Sequence, residues 1–410
     1  MLDRSRRVVA LLVICAVAGS CVPGPRGEPG RPGTGSRPQS GAPVPVEFAG
    51  DDFYAVPDPL PRGRHGTLIR FQRVEDPPLV GGTRTRIMYL SETVGGDPVA
   101  VTGTVVVPDG DAPAGGRDVV TVAHATTGIA DGCAPSRNLG TGENLLAPVA
   151  IGSGYVMVVS DYEGLGTPGR HPYLVGEAEG RNVLDGATAA GQVPGVEVSR
   201  RVGIVGYSQG GHAALWAGQL AQRWTRGLDV VGVAAGAPST GLPLYLSLAQ
   251  TQPTVIGFVL MIVAGYEAAY PDEADPALVL SPDGASVLDT VDDGCVADVL
   301  ARFAGTVGGP LLQPDAGTVE PWATLMAAND PGQAKIRTPV LVTASSADEV
   351  VPSPLVHALL DRMCAVGTRV DGRLYQDGGG HVKTAARSYL DGFAWLAERF
   401  AGRPAVSTCA

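Results

Sequence analysis

Apart from Arg4-Ser5-Arg6-Arg7 at its N-terminus, the chain has no cluster of basic residues, and its formal charge of −11 makes it acidic. That argues against a nucleic-acid partner, because proteins that grip phosphate backbones carry basic patches or stripes. Charge of either sign is sparse, at 17% of residues. The apolar run Val255–Ala264 falls well short of the roughly 20 residues a membrane-spanning helix needs. No Cys/His/Asp cluster has metal-site spacing, and no phosphate-cradling glycine loop follows the first strands, so neither a metal nor a cofactor is expected. What remains is an ordinary globular composition, 44% hydrophobic over 410 residues. It is long enough for one large domain with an insertion, or for two domains.

The N-terminus joins Met1-Leu2-Asp3-Arg4-Ser5-Arg6-Arg7 to the apolar run Val8–Val17 and then to Ala18-Gly19-Ser20-Cys21. A basic start, a short apolar segment and small residues before a boundary describe an export signal over residues 1–20. Small residues directly before Cys21 also fit a lipoprotein cleavage box, which would leave a lipidated Cys21 as an anchor at the cell surface; ordinary cleavage nearby is the competing reading. Of six cysteines, Cys15 lies inside the signal. Acylation of Cys21 would leave Cys133, Cys295, Cys364 and Cys409 for two disulfides, in any of three connectivities that spacing does not distinguish. Residues 21–47 are rich in Pro, Gly and Ser with almost nothing apolar to bury, and read as an extended tether. The triplets at Gly24, Gly27, Gly30 and Gly33 are too few for a collagen helix.

Order is expected from near Asp51-Asp52-Phe53-Tyr54. Strand patterns follow at Thr67–Val74, Thr85–Ser91, Val99–Val107 and Asp118–Ala125, rich in β-branched residues and separated by turns. A helical stretch around Asn144–Ile151, a strand at Tyr155–Ser160 and a helix over about Glu177–Gly191 come next. A further strand lies at Val230–Ala234. Alternating strands and helices predict a mainly parallel sheet with helices on both faces. Between about Leu242 and Lys335 the alternation stops, and the apolar helical stretches Leu242–Leu248 and Val255–Tyr270 suggest an inserted helical cap. Their apolar side chains fit either plain packing or the wall of an acyl site. Beyond the cap come a buried strand at Val340–Thr343, a helix over Leu355–Ala365, a strand at Val370–Tyr375 and a last helix over Lys383–Phe400.

The chain is organised around Val202-Gly203-Ile204-Val205-Gly206-Tyr207-Ser208-Gln209-Gly210, where a β-branched run stops at Gly-x-Ser-x-Gly and passes into the helical pattern Ala214–Trp224. Strand, sharp turn and helix form the context of a nucleophile elbow, which pushes the serine hydroxyl out of the sheet. A serine needs an imidazole to take its proton, and the imidazole needs a carboxylate to hold its tautomer. In hydrolases on such a sheet these follow in the order Ser, Asp or Glu, His.

Elimination selects His381 among the six histidines. His65 and His124 precede the elbow, as does His171, a loop residue that could line the site. His212 lies one turn into the elbow's helix and His357 on a helix surface, whereas His381 ends the glycine-rich loop after the next strand. Asp348, after the strand Val340–Thr343, is favoured as the carboxylate. Its neighbour Glu349 could replace it after a small backbone shift, and Asp377, four residues before His381, reads better as a turn former. Two backbone N–H donors are needed for the oxyanion. One is that of Gln209, and the other belongs to the loop His124-Ala125-Thr126-Thr127-Gly128.

These separated motifs resemble the secretory lipase family of fungi and actinobacteria. The likeness runs from about Asp51 to Cys409. It is carried by Thr126-Thr127-Gly128 through Cys133-Ala134-Pro135-Ser136, by Ser160-Asp161-Tyr162-Glu163-Gly164, by Gly206-Tyr207-Ser208, by Asp348-Glu349-Val350-Val351-Pro352 and by the His381 loop. The resemblance implies an α/β-hydrolase fold with a cap inserted before the strand that carries the carboxylate. It also implies Ser208 as nucleophile, Asp348 as acid, His381 as base, and the disulfides Cys133–Cys295 and Cys364–Cys409. It maps the second oxyanion donor near Thr127, where a yeast member has an aspartate, a departure that touches only the side chain.

The expectation is therefore an exported serine hydrolase of carboxylic esters, acting on lipid or short-to-medium acyl esters. Its core would span residues 48–240 and 336–410, with a cap over 241–335. An acyltransferase would share every catalytic residue, and a surface-tethered binding protein that has lost activity is the rival from another class.

Overall fold

The computed structural model describes residues 44–409; the expected export signal, Cys21 and most of the expected tether lie outside them. Among the described residues ten strands make one sheet: β1 (Val46–Glu47), β2 (Leu68–Val74), β3 (Gly82–Glu92), β4 (Pro98–Pro108), β5 (Arg117–Ala123), β6 (Val156–Ser160), β7 (Val198–Tyr207), β8 (Asp229–Gly236), β9 (Val340–Ser345) and β10 (Val370–Tyr375). Their order is β1-β2-β3-β4-β6-β5-β7-β8-β9-β10. Everything from β6 to β10 is parallel, and the antiparallel pairings are confined to β2/β3, β3/β4 and β4/β6. The fold is an α/β-hydrolase fold with a mainly parallel sheet.

The helices are α1 (Ala147–Gly152), α2 (Gly176–Ala190), α3 (Gln209–Trp224), α4 (Leu242–Ala249), α5 (Ile256–Ala269), α6 (Pro282–Val287), α7 (Val296–Arg302), α8 (Trp322–Asn329), α9 (Ser353–Ala365) and α10 (His381–Phe400). The pleat of the central strands sends alternate side chains to opposite faces. Val202 and Ile204 of β7, with Val340 and Val342 of β9, pack against residues of α2, α3 and α9. Val205 and Tyr207, with Leu341, pack against α1 and α10. Burial on both faces explains why these strands read as continuous apolar runs. On α10 the buried Tyr389, Phe393, Leu396 and Phe400 recur at helical spacing, forming the stripe that meets the sheet.

Helices α4 to α8 fall within residues 241–335, and their apolar side chains share one cluster with Tyr173, Leu174 and Val175 from the segment before α2. Helix α5 is apolar nearly all round because it is buried nearly all round, from Val259 to Tyr266. Two disulfides are present among the described residues. Cys133–Cys295 ties the loop after β5 to the start of α7, and Cys364–Cys409 ties α9 to the C-terminal tail.

Among the boundaries that differ from expectation are those of the tether and of the last helix. Val46–Glu47, assigned from composition to the tether, pair in parallel with Arg70 and Phe71. Two aromatic contacts anchor this end: Phe48 meets Phe53 edge-on at 5.7 Å, and the Arg70 guanidinium lies 4.7 Å from the Phe48 ring centre. Pro-rich composition conceals a two-residue edge pairing whose support comes from side chains farther along. The last helix begins at His381, not Lys383, so the histidine sits on the first helical residue beyond its glycine loop.

Candidate active site

Strand β7 hands directly to α3 through Ser208, whose backbone sits at φ 58°, ψ −117°, a conformation side chains rarely adopt. The flanking glycines permit it. A Cβ on Gly206 would lie 2.1 Å from the Gly210 carbonyl oxygen, and one on Gly210 would lie 2.0 Å from that of Ala123. Either contact would force the turn open. The result is a serine side chain aimed out of the sheet at the N-terminus of α3, with the residue only 8% exposed.

His381 meets it from the start of α10. Ser208 Oγ lies 2.9 Å from His381 Nε2, and His381 Nδ1 lies 2.8 Å from Asp348 Oδ2. The other carboxylate oxygen, Asp348 Oδ1, accepts the N–H groups of Val350 at 3.0 Å and Val351 at 2.7 Å. One oxygen is thereby locked by its own loop and the other is left for the imidazole. With Nδ1–H donated to Asp348, Nε2 carries the lone pair that receives the serine proton. The Tyr207 hydroxyl donates to the His381 carbonyl at 2.5 Å, which steadies the ring's backbone from below.

The competing residues have other partners. Glu349 Oε2 accepts the backbone N–H of His381 at 2.9 Å, so it caps α10 and does not face the ring. Asp377 accepts the Gly379 N–H at 3.2 Å and pairs with Arg387, as a turn residue would. His65 pairs with Asp185, and both nitrogens of His124 face backbone carbonyl oxygens. His212 is buried between Glu179 and the Asn329 carbonyl, and His357 is exposed. His171 touches the Gln209 side chain, not the nucleophile.

Gln209 is the first residue of α3, where a backbone N–H has no acceptor within its helix. The loop after β5 carries Thr126 and Thr127. Ala125 N–H donates to Glu143 Oε1 at 2.9 Å, Thr126 Oγ1 contacts Tyr173 OH at 2.8 Å, and Thr127 O accepts the Val296 N–H at 2.8 Å. The loop is thus held at three successive residues, and the Cys133–Cys295 bridge lies just beyond. Thr127 Oγ1 is buried without a partner. Glu143 and Glu179 are supporting residues that the sequence pattern did not single out, since Ala125 and His212, which they meet, lie on other elements.

Beside His381 opens a cavity of about 380 Å³. Phe258 and Gly257 of α5, Leu300 of α7, Phe303, Val350 and Val382 supply its apolar walls. That volume lies within the roughly 300–1,000 Å³ range of small-molecule sites. A larger cavity of about 550 Å³, lined by Arg64, His65, Arg223 and Trp224, is formed with the C-terminal end of α3, away from the elbow at its N-terminus. Burial near the elbow also moves two groups: Glu163 is pushed up to about 7 and His171 down to about 4. Among the described residues, no group of three or more His, Cys, Asp or Glu is placed to hold a metal ion, and no helix is long and apolar enough to cross a membrane.

A secreted triacylglycerol lipase of Malassezia globosa is 27% identical, with 88% of this chain and 82% of that protein aligned. A protein of Mycobacterium tuberculosis described as a probable inactive lipase is also 27% identical, over 86% of this chain and 82% of its own. Candida antarctica lipase A superposes with a TM-score of 0.75 at 22% identity, covering 87% of each chain. A rice cell wall degrading esterase of Xanthomonas oryzae superposes at 0.67 and 20% identity, over 82% of this chain and 98% of its own. Residues 139–408, more than half of the chain, match the family model described as secretory lipase, and the protein belongs to that family of ester hydrolases.

Proposed function

We propose that this protein is an exported serine hydrolase that cleaves carboxylic esters through an acyl-enzyme on Ser208. The observation that carries the reading is the unbroken line from Ser208 Oγ to His381 Nε2 at 2.9 Å and from His381 Nδ1 to Asp348 Oδ2 at 2.8 Å. Ser208 Oγ attacks the ester carbonyl as its proton passes to Nε2, and the imidazolium so formed is stabilised by Asp348. The tetrahedral oxyanion is received by the N–H groups of Gln209 and Thr127. Collapse expels the alcohol, which takes the proton from Nε2. Water, deprotonated by the same nitrogen, then releases the acid and frees Ser208.

Residues 241–335 act as a cap over the core formed by 48–240 and 336–410. The apolar cavity between α5, α7 and His381 is the acyl site, which makes lipid or short-to-medium acyl esters the substrates. The cap's apolar residues then serve both purposes: Val259 to Tyr266 fill its own core, and Gly257, Phe258 and Leu300 wall the cavity. Residues 1–20 serve as the export signal, and a lipidated Cys21 tethers the enzyme to the cell surface.

The likeness to a probable inactive lipase gives the binding-protein reading its specific support. An intact Ser–His–Asp line weighs against it. The test is reaction with a fluorophosphonate, which phosphonylates an activated serine. Labelling of the Ser208 peptide, absent after His381→Ala, supports the hydrolase; folded protein that takes no label overturns it. An acyltransferase would label equally and is separated by adding an acceptor alcohol and measuring ester formed against acid released.

A further inference from the structure

The Gln209 side chain has no role in the reaction above, yet it is held from two sides. Its amide nitrogen lies 2.7 Å from Glu179 Oε1 and 2.8 Å from His171 Nε2. His171 donates from Nδ1 to the Glu163 carbonyl at 2.8 Å, and burial keeps the ring neutral, so its Nε2 is an acceptor. Both hydrogens of the Gln209 amide are therefore taken. Its oxygen is buried without a partner, and flipping the amide would set that oxygen against a carboxylate and a lone pair. Only one orientation of the side chain is compatible with its surroundings.

Glu179 is fully buried and does more than hold Gln209. Oε1 also accepts the Leu174 N–H at 2.9 Å, while Oε2 faces His212 Nδ1 at 3.0 Å. Leu174 has φ 58°, a left-handed backbone that a leucine adopts only when its surroundings hold it there. Glu179 holds its N–H, and the Tyr266 hydroxyl donates to its carbonyl at 3.2 Å. The preceding residues reach both walls of the site: His171 meets Gln209, and the Tyr173 hydroxyl meets Thr126 Oγ1 at 2.8 Å. Helix α5 packs tightly on this segment, since a Cβ on Gly265 would lie 2.4 Å from Tyr173 N.

We propose that Glu179 is a positioning residue for the oxyanion hole, fixing Gln209 directly and the Thr126–Thr127 loop through the strained segment His171–Leu174. This rests on the reading of the Gln209 and Thr127 N–H groups as the oxyanion donors. Such donors work because they already point where charge will develop, and removing one from a serine hydrolase costs about 10²–10³ in kcat. Releasing both walls by deleting one carboxylate should reproduce a substantial part of that loss.

The isosteric variant separates position from charge. In Glu179→Gln the amide oxygen can still accept from Gln209 and Leu174, and its NH2 takes the place of the oxygen that faces His212 Nδ1. Both variants are compared with the wild type on p-nitrophenyl butyrate, with thermal unfolding measured alongside. Glu179→Ala is expected to lose about tenfold to a hundredfold in kcat with KM within about twofold, and Glu179→Gln to stay within about fivefold of wild type. A folded Glu179→Ala with wild-type kcat overturns the proposal, as does a Glu179→Gln that falls as far as the alanine variant. If Glu179→Ala does not fold, Gln209→Ala carries the test: it keeps the backbone donor and frees the clamp, and an unchanged kcat overturns the proposal. A wild type whose turnover survives Ser208→Ala fails in a different way, because then the oxyanion reading itself falls and the positioning role with it.

Discussion

Asp348 and Glu349, adjacent in the chain, hold the same histidine by different atoms. Asp348 Oδ2 takes the His381 ring at Nδ1, 2.8 Å away, and Glu349 Oε2 takes the His381 backbone N–H, 2.9 Å away. The first contact governs the tautomer and the second the start of α10. Asp348→Asn should therefore lower kcat by about 10³–10⁴, since the amide favours the wrong imidazole tautomer. Glu349→Gln should change kcat by less than about tenfold and remove about 1 kcal/mol of stability at the helix start. Steady-state kinetics and urea unfolding of the two variants check the division of labour; equal losses of kcat would contradict it.

The elbow tolerates no side chain at Gly210. A Cβ there would lie 2.0 Å from the Ala123 carbonyl oxygen and 2.8 Å from that of His124, where β5 ends and the loop to Thr127 begins. Backbone cannot yield as a flexible side chain can. Gly210→Ala should lose at least about 3 kcal/mol of stability and all measurable turnover, as read by circular dichroism melting and ester hydrolysis.

Cutting the Cys133–Cys295 bridge should loosen two things at once. The bridge closes a loop of 162 residues and ties the loop after β5 to the start of α7, which walls the cavity beside His381. Cys133→Ser with Cys295→Ser should cost about 2–4 kcal/mol of stability and lower activity more than the matching change at Cys364 and Cys409, whose bridge ties only the tail. Melting curves and rates of the two double variants provide the comparison.

How far the chain could be read depended on the range of the contacts involved. The elbow announced itself locally, because strand, Gly-x-Ser-x-Gly and helix are contiguous, and His381 and Asp348 followed from chain order and loop context. Glu179 gave no such signal. It is an ordinary residue of α2, and its partners Gln209 and His212, both on α3, reach it only once α2 packs against α3. Spacing alone could not pair the cysteines, since one bridge spans 162 residues and the other 45. Val46–Glu47 were hidden for the same reason, their place on the sheet edge being set by β2 and by Phe53.

Glu163 predicts a pH effect on stability. Burial raises its carboxyl to about 7, against 4.5 ordinarily, so the folded state holds a proton that the unfolded chain releases between those values. A raised acid stabilises below its unfolded pKa, and that contribution is lost as pH rises through 4.5 to 7. His171, lowered to about 4, acts in the opposite sense over much of that window. Glu163→Gln removes the first effect and leaves the second. The melting temperature of the variant minus that of the wild type should therefore become more positive from pH 4.5 to pH 7, and a difference independent of pH would contradict the assignment.

The cavity walled by α5 and α7 should set chain-length preference. Ala304 lines it, and Ala304→Trp should shorten the preferred acyl chain while sparing acetate esters to within about threefold. An unchanged preference would place the acyl group elsewhere.

The most direct measurement is hydrolysis of p-nitrophenyl esters from acetate to palmitate by the purified protein beside Ser208→Ala. The account predicts turnover of at least part of the series, abolished in the variant, with a chain-length optimum set by the cavity beside His381. Turnover that persists in folded Ser208→Ala, or its absence at every length from folded wild type, would contradict it.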